Sequence, residues 1–291
     1  MQETSKNLII INLASFIMSF SGLFAKWISL ESYGIIFGRS LTALPVLLIV
    51  CFMFKIIKPI QTKRHMLIIA ISSILITIHW VLFYMAIQLS SVAVGVIALL
   101  SYPLISSILE PLLTKTPYKI RCLIESGVLI ISIALLSGHT INGDSIYFGI
   151  MLGLIAATCF ALRNIIIKEI VNEYSPIWLM LIQIGVSGII LAPIGIVPLM
   201  AIGVKDALLI AVAGIIVVAL SHIMFIQSMK TLSATTVGII ASLQLVYAII
   251  ASWWFFNEIL SINILLGGIL ILSVSIFEQI KGYKENAKLV S

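Results

Sequence analysis

Apolar residues in this chain run on for about twenty positions at a time, the length at which a helix crosses the ~30 Å hydrocarbon layer of a membrane. They come as blocks rather than as the one-sided stripe of a helix resting on a soluble core. Inside lipid, only helices and closed barrels satisfy their own backbone groups. The alternation of a barrel strand is missing, so helices remain. Composition agrees: 61% of the 291 residues are hydrophobic and 10% are charged. A water-soluble domain of this size has no way to hide so much apolar surface.

Length and breaks divide the chain into ten expected spans, near 8–28, 33–54, 66–87, 91–113, 119–137, 146–167, 176–199, 207–229, 233–256 and 262–280. The first, Leu8 to Ile28, reads as a membrane helix rather than a cleaved leader, because no small-residue cleavage site clearly follows it. Most connections are very short. The longest, His139 to Ser145, holds the turn signal Asn142-Gly143-Asp144 near mid-chain. Cys51, Cys122 and Cys159 are scattered in apolar surroundings with neither metal spacing nor a paired framework, and are expected to be reduced.

The net charge of +6 is a topology signal, not a sign of nucleic-acid binding. With the N-terminus inside, the inner regions hold Lys6, Lys55, Lys58, Lys63, Arg64, Lys115, Lys119, Arg121, Lys168, Lys230, Lys281, Lys284 and Lys288, and the outer regions only Lys26 and Lys205. Basic residues gather on the cytoplasmic side of membrane proteins. Miscounting by one helix would scramble this asymmetry. It supports ten spans with both termini cytoplasmic.

The chain also matches itself. Residues 94–100 read VGVIALL and residues 237–243 read VGIIASL. The same offset lays His79 on His222, both near the middle of a span. A five-helix unit repeated in tandem must lie in the membrane in opposite orientations, because five is odd. Inverted repeats build many secondary transporters, with the substrate site near the midplane between the halves. The fold expected is an all-α integral membrane protein of ten transmembrane helices arranged as two inverted five-helix repeats, residues 1–141 and 142–291.

The third-to-fourth-helix hairpin FYMAIQLSSVAVGVIALLSYPLISSILE, from Phe83, and its counterpart FIQSMKTLSATTVGIIASLQLVYAIIASWWFFNE, from Phe225, resemble those of the drug/metabolite transporter superfamily, and within it the EamA family. The family pattern ends its long helix in an acidic residue. Glu258 matches it, whereas Lys115 stands at the equivalent place of the first half. That departure suits the positive-inside bias. The resemblance implies that the third, fourth, eighth and ninth helices line a central cavity.

Ionisable residues inside spans are costly in lipid and face a cavity or a partner. His79 and His222 can donate to a substrate carboxylate or carry protons, or be neutral and bonded to a neighbouring helix. Trp80, Phe83, Tyr84 and Tyr102 around them suit an amphipathic cavity wall. Arg39 keeps its charge, and either binds a carboxylate or snorkels to the outer headgroups. Arg163, five residues before Lys168, either binds substrate or, on the blander reading, snorkels inward, and its neighbour Asn164 is a candidate for the cavity lining. Glu110, before Pro111, is either a proton-coupling site with His79 or a structural partner of Arg163 or Lys115. Gln183 and Gln244 are intramembrane amides, for which interhelical hydrogen bonding is the default; Gln244 aligns with Ser101, and both are candidates for the substrate cavity. Gly34/Gly38 and Gly149/Gly153 have the spacing of close helix packing within one chain, and Pro103 and Pro193 are positioned to kink their helices.

These residues point to a secondary transporter of a bacterial inner membrane. The substrate class is a small polar metabolite bearing a carboxylate, such as an amino acid, with a drug or a nucleotide-derived compound as the alternative. Expected partners are that substrate and the bilayer, in a monomer or weak homodimer, with no cofactor, no metal and no nucleic acid. Gly185-Val186-Ser187-Gly188 matches the nucleophile motif of rhomboid proteases, with His222 one helix away as a potential base, but ten repeated spans do not fit that core. A channel is the remaining rival.

Overall fold

A computed structural model describes residues 2–90, 92–136, 144–256 and 262–288 of the protein; Glu258 and the turn at Asn142-Gly143 lie outside them. Every regular element among the described residues is helical: α1 Gln2–Ser19, α2 Ser21–Trp27, α3 Ser32–Met53, α4 Lys63–Leu89, α5 Val92–Leu99, α6 Tyr102–Thr114, α7 Ile120–Leu136, α8 Asp144–Lys168, α9 Pro176–Met200, α10 Val204–Val212, a π-helical stretch Ala213–Leu220, α11 Ser221–Ser228, α12 Ala234–Ala241, α13 Leu243–Phe256 and α14 Ile262–Lys288. Among the described residues six paths are long and apolar enough to cross a membrane: Glu3–Trp27, Ser32–Met53, Lys63–Leu89, Tyr147–Lys168, Pro176–Met200 and Val204–Ser228. The rim of the bundle is apolar. Phe52, Ile189, Val197 and Met200 are largely exposed, an outward face that only lipid accommodates.

The ends of the helices follow from local chemistry. Thr62 caps α4 by accepting from His65 N, and Ser233 caps α12 by accepting from Thr236 N. Pro176 opens α9 at a position where its missing N–H costs nothing. Lys55 and Lys115, with φ of 51° and 55°, close α3 and α6 in the left-handed region.

Three stretches expected as single runs are interrupted. The first breaks at Phe20, between α1 and α2. The second breaks at Leu100–Ser101, because Pro103 at the start of α6 has no N–H for the preceding turn. The third breaks at Ser242, whose hydroxyl donates to Ile239 O at 2.6 Å. Ser101 makes the equivalent bond to Ala98 O at 2.7 Å, so each half tightens its hairpin helix with a serine hydroxyl drawn to its own backbone. Pro193, by contrast, leaves α9 unbroken.

The halves pack reciprocally. The leading helix of the first half, α1, lies along α11 and α13 of the second, and α8, which leads the second half, lies along α4 and α6 of the first. Helix α3 meets its counterpart α9, α6 meets α12, and α7 meets α14. Such mutual exchange of contacts is the signature of a twofold relation. Missing side chains allow the closest approaches. A Cβ on Gly153 would stand 2.4 Å from Ala98 Cβ, and one on Gly149 2.6 Å from Ser90 Oγ. The glycine pairs therefore pack helices within the chain, as their spacing suggested.

Candidate functional site

The cavity in the middle of the bundle is walled by Met18, Ser19, Ser21 and Gly22 at the α1–α2 break, His79, Trp80 and Phe83 of α4, Val96 and Leu99 of α5, Tyr102, Phe160 of α8, Val217 and Val218 of the π stretch, His222, Gln244 and Ala248. It measures about 40 Å³, roughly three water-sized spheres. A molecule as large as an amino acid enters only if these walls move.

The two repeat-related histidines share this wall with different bonds. His222 Nε2 accepts from the indole Nε1–H of Trp80 at 3.3 Å, and its Nδ1 lies 3.1 Å from Val218 O. An indole only donates and a carbonyl only accepts, so this geometry holds His222 as the neutral Nδ1–H tautomer. His79 donates from Nδ1 to Ala156 O at 3.0 Å, which leaves Nε2 as the acceptor of a ring that lines the cavity. The break at Phe20 is tied to the same helix: Tyr84 OH donates to Ser21 O at 3.1 Å.

Phe160, absent from the residues expected from sequence, is the hub of the aromatic wall. It stacks on His79 with centroids 4.5 Å apart, meets Tyr102 edge-on at 4.9 Å, and touches Phe225 and His222 at 5.4 and 6.1 Å. Nothing polar marks it in an apolar helix. The signal that would have found it is its place on α8, the helix that crosses α4 at Ala156.

Behind Trp80 stands Arg39. It is 2% exposed, so it does not snorkel. Its guanidinium carbon lies 4.7 Å from the Tyr84 ring centroid and 5.6 Å from that of Trp80. Among the described residues Nε, Nη1 and Nη2 of Arg39 find no hydrogen-bond acceptor. The backbone around it is packed too tightly for any side chain opposite. A Cβ on Gly214, in the π stretch, would lie 2.6 Å from Arg39 O.

The remaining expected site residues lie away from the cavity. Arg163 is also fully buried, which overturns its expected inward snorkelling. Nη1 donates to Asn164 Oδ1 at 2.9 Å and Nη2 to Gln183 Oε1, while Gln183 Nε2 donates to Ser72 Oγ at 3.2 Å. A partner twenty residues along the chain holds the guanidinium inside. Ser101 serves the helix break described above. Glu110 meets neither Arg163 nor Lys115. Its carboxylate accepts from Ala234 N at 3.0 Å, from Thr235 N at 2.9 Å and from Thr235 Oγ1, which caps the N-terminus of α12. Ser187 of the GxSG motif is buried on α9 without a hydrogen-bond partner among the described residues, and His222 Nε2 is occupied by Trp80, so no nucleophile–base pair forms between them.

Comparison with known proteins bears on the family and the fold. The model of the EamA-like transporter family matches the chain twice, over residues 5–138 and 147–277. A solved crystal structure, described no further than as that of a protein, superimposes with a TM-score of 0.76 over 93% of this chain and 96% of the other at 11% sequence identity, a likeness of fold. No curated protein matches the sequence.

Proposed function

Because the chain belongs to the EamA-like transporter family, a family of membrane transporters, we propose that it is a secondary carrier of small carboxylate-bearing metabolites such as amino acids, working by alternating access between two inverted five-helix halves. The observation that carries the substrate class is Arg39. Holding a guanidinium at membrane depth costs at least about 3 kcal/mol. The nearer ring returns on the order of 1–2 kcal/mol, and the farther one, close to the limit of such contacts, less. The unmade hydrogen bonds of the guanidinium add on the order of 1 kcal/mol each. That deficit is what a bidentate carboxylate relieves. The largely apolar, aromatic wall beside it suits an apolar side group on the same molecule.

The reciprocal packing of the halves, the odd helix number and the lysine asymmetry support ten spans, an inverted repeat and cytoplasmic termini in a bacterial inner membrane. The small cavity suits an occluded state from which either side opens.

Thermal-shift measurement of the purified protein against a metabolite library tests the reading. Carboxylates, but not their amides, raise the melting temperature, and the response disappears in Arg39→Gln. Stabilisation that ignores the carboxylate, or survives Arg39→Gln, overturns the substrate class. In proteoliposomes the uptake of a hit saturates and is accelerated by the same compound inside; linear flux overturns the carrier.

A further inference from the structure

Away from the cavity, where α7 begins and α14 nears its end, Cys122, Glu125 and Glu278 are buried together, with Sγ and one oxygen of each carboxylate within 4.8 Å of one another. Arg121 spans both acids. Its Nε is 3.0 Å from Glu125 Oε1 and its Nη2 donates to Glu278 Oε2. Two carboxylates against one guanidinium leave one negative charge in excess.

The hydrogen bonds decide which acid carries it. Glu278 has both oxygens occupied: Oε2 accepts from Arg121 and Oε1 accepts from Thr236 Oγ1 at 2.7 Å. Glu125 is 6% exposed, and neither of its oxygens receives a hydrogen bond among the described residues. The Arg121 contact is close but poorly aligned. An ionised carboxylate without donors is a costly thing to bury, whereas a protonated one gains a donor and has Glu278 as its neighbouring acceptor.

We propose that Glu125, paired with Glu278, is a proton-binding site whose occupancy is relayed to the central cavity through α12. A hydronium ion gives one proton to a Glu125 oxygen: an O–H bond of the hydronium breaks, one forms on the carboxyl, water is released, and the trio of Arg121, Glu125 and Glu278 becomes neutral. The relay is short. Glu278 holds Thr236 in the first turn of α12, and two residues on, Gly238 O accepts from the cavity residue Tyr102 at 3.1 Å. Glu110 grips the same helix end at Ala234 and Thr235. Loss of the proton sets Glu125 in competition with Glu278 for Arg121 and loosens the hold on Thr236.

The other charged and titratable groups around the site are Lys281 on α14, Lys119 just before α7 and Cys122 itself; α12 faces it with the hydroxyl of Thr236, while Thr235 is held by Glu110 of α6. Arg121 already occupies the position where a metal ion's charge would sit, which favours a proton over a cation.

Infrared difference spectroscopy of the full-length protein in lipid nanodiscs, titrated across pH, tests the site without any substrate. A carboxylic-acid carbonyl band grows as pH falls, disappears in Glu125→Gln, moves in Glu125→Asp and persists in Glu110→Gln. No titrating band, or one that survives Glu125→Gln, overturns the proposal, as does a wild-type band abolished by Mn²⁺ at constant pH. The relay is read from the thiol-labelling rate of Gln244→Cys in a background with Cys51, Cys122 and Cys159 replaced by serine, the infrared midpoint being measured again in that background because Cys122 belongs to the site. A rate that follows the infrared midpoint supports it, and a rate indifferent to pH overturns it. The role of this proton in transport rests on the carrier reading, whose own flux test fails independently of these two measurements.

Discussion

The guanidinium of Arg39 faces the ring of Tyr84 at 4.7 Å, while the Tyr84 hydroxyl donates elsewhere, to Ser21 O. Among the described residues the arginine thus has a surface to lie on and makes no hydrogen bond of ordinary geometry. On the proposed reading its charge serves a ligand at the expense of the empty protein. Arg39→Met is expected to stabilise the ligand-free protein by on the order of 1–3 kcal/mol and to abolish stabilisation by carboxylates. Reversible unfolding in mixed micelles, with and without a carboxylate ligand, gives both numbers. A destabilised ligand-free variant would mean that Arg39 is a structural residue.

The Trp80–His222 bond joins the two halves across the cavity. Trp80→Phe leaves His222 Nε2 without its donor and is expected to cost about 1 kcal/mol. A double-mutant cycle with His222→Phe should give a coupling energy of about 0.5–1.5 kcal/mol. Additive effects would show that the 3.3 Å contact carries no energy.

Two glycines offer a matched comparison. A Cβ at Gly214 meets the backbone oxygen of Arg39 at 2.6 Å, and one at Gly127 meets nothing within 4 Å. Gly214→Ala is expected to destabilise by about 1–3 kcal/mol and to weaken carboxylate binding by shifting Arg39. Gly127→Ala should be neutral or slightly stabilising, by up to about 1 kcal/mol. Equal effects would refute the close approach.

Glu110 caps α12 with three hydrogen bonds. Glu110→Ala is expected to cost about 1–2 kcal/mol, and Glu110→Gln less, since its amide oxygen still accepts. Carboxylate affinity should be unchanged in Glu110→Gln. A large loss of affinity in that variant would show that Glu110 does more than cap α12.

Much of the fold could be read from sequence because hydropathy and lipid impose the same rule on every span, and the pairing of His79 with His222 drew attention to the cavity. The interruptions at Phe20 and Ser242 escaped, since a single serine barely moves a hydropathy average, whereas Pro103 marked the one at Leu100–Ser101. Arg163 was misread because the residue that holds it, Gln183, belongs to the next helix. Phe160 was invisible for the opposite reason: a phenylalanine in lipid-facing company gains its role only from the rings around it.

One stretch of backbone adds a mechanical consequence. From Ala213 to Leu220 the chain is wound in the wide π form, an unusually long run of it, and it ends one residue before the serine that precedes His222. A loosely wound section is slack stored in a rod. Tightening it to ordinary α winding would rotate α11 about its axis and swing His222 off Trp80 while the rest of the helix keeps its place.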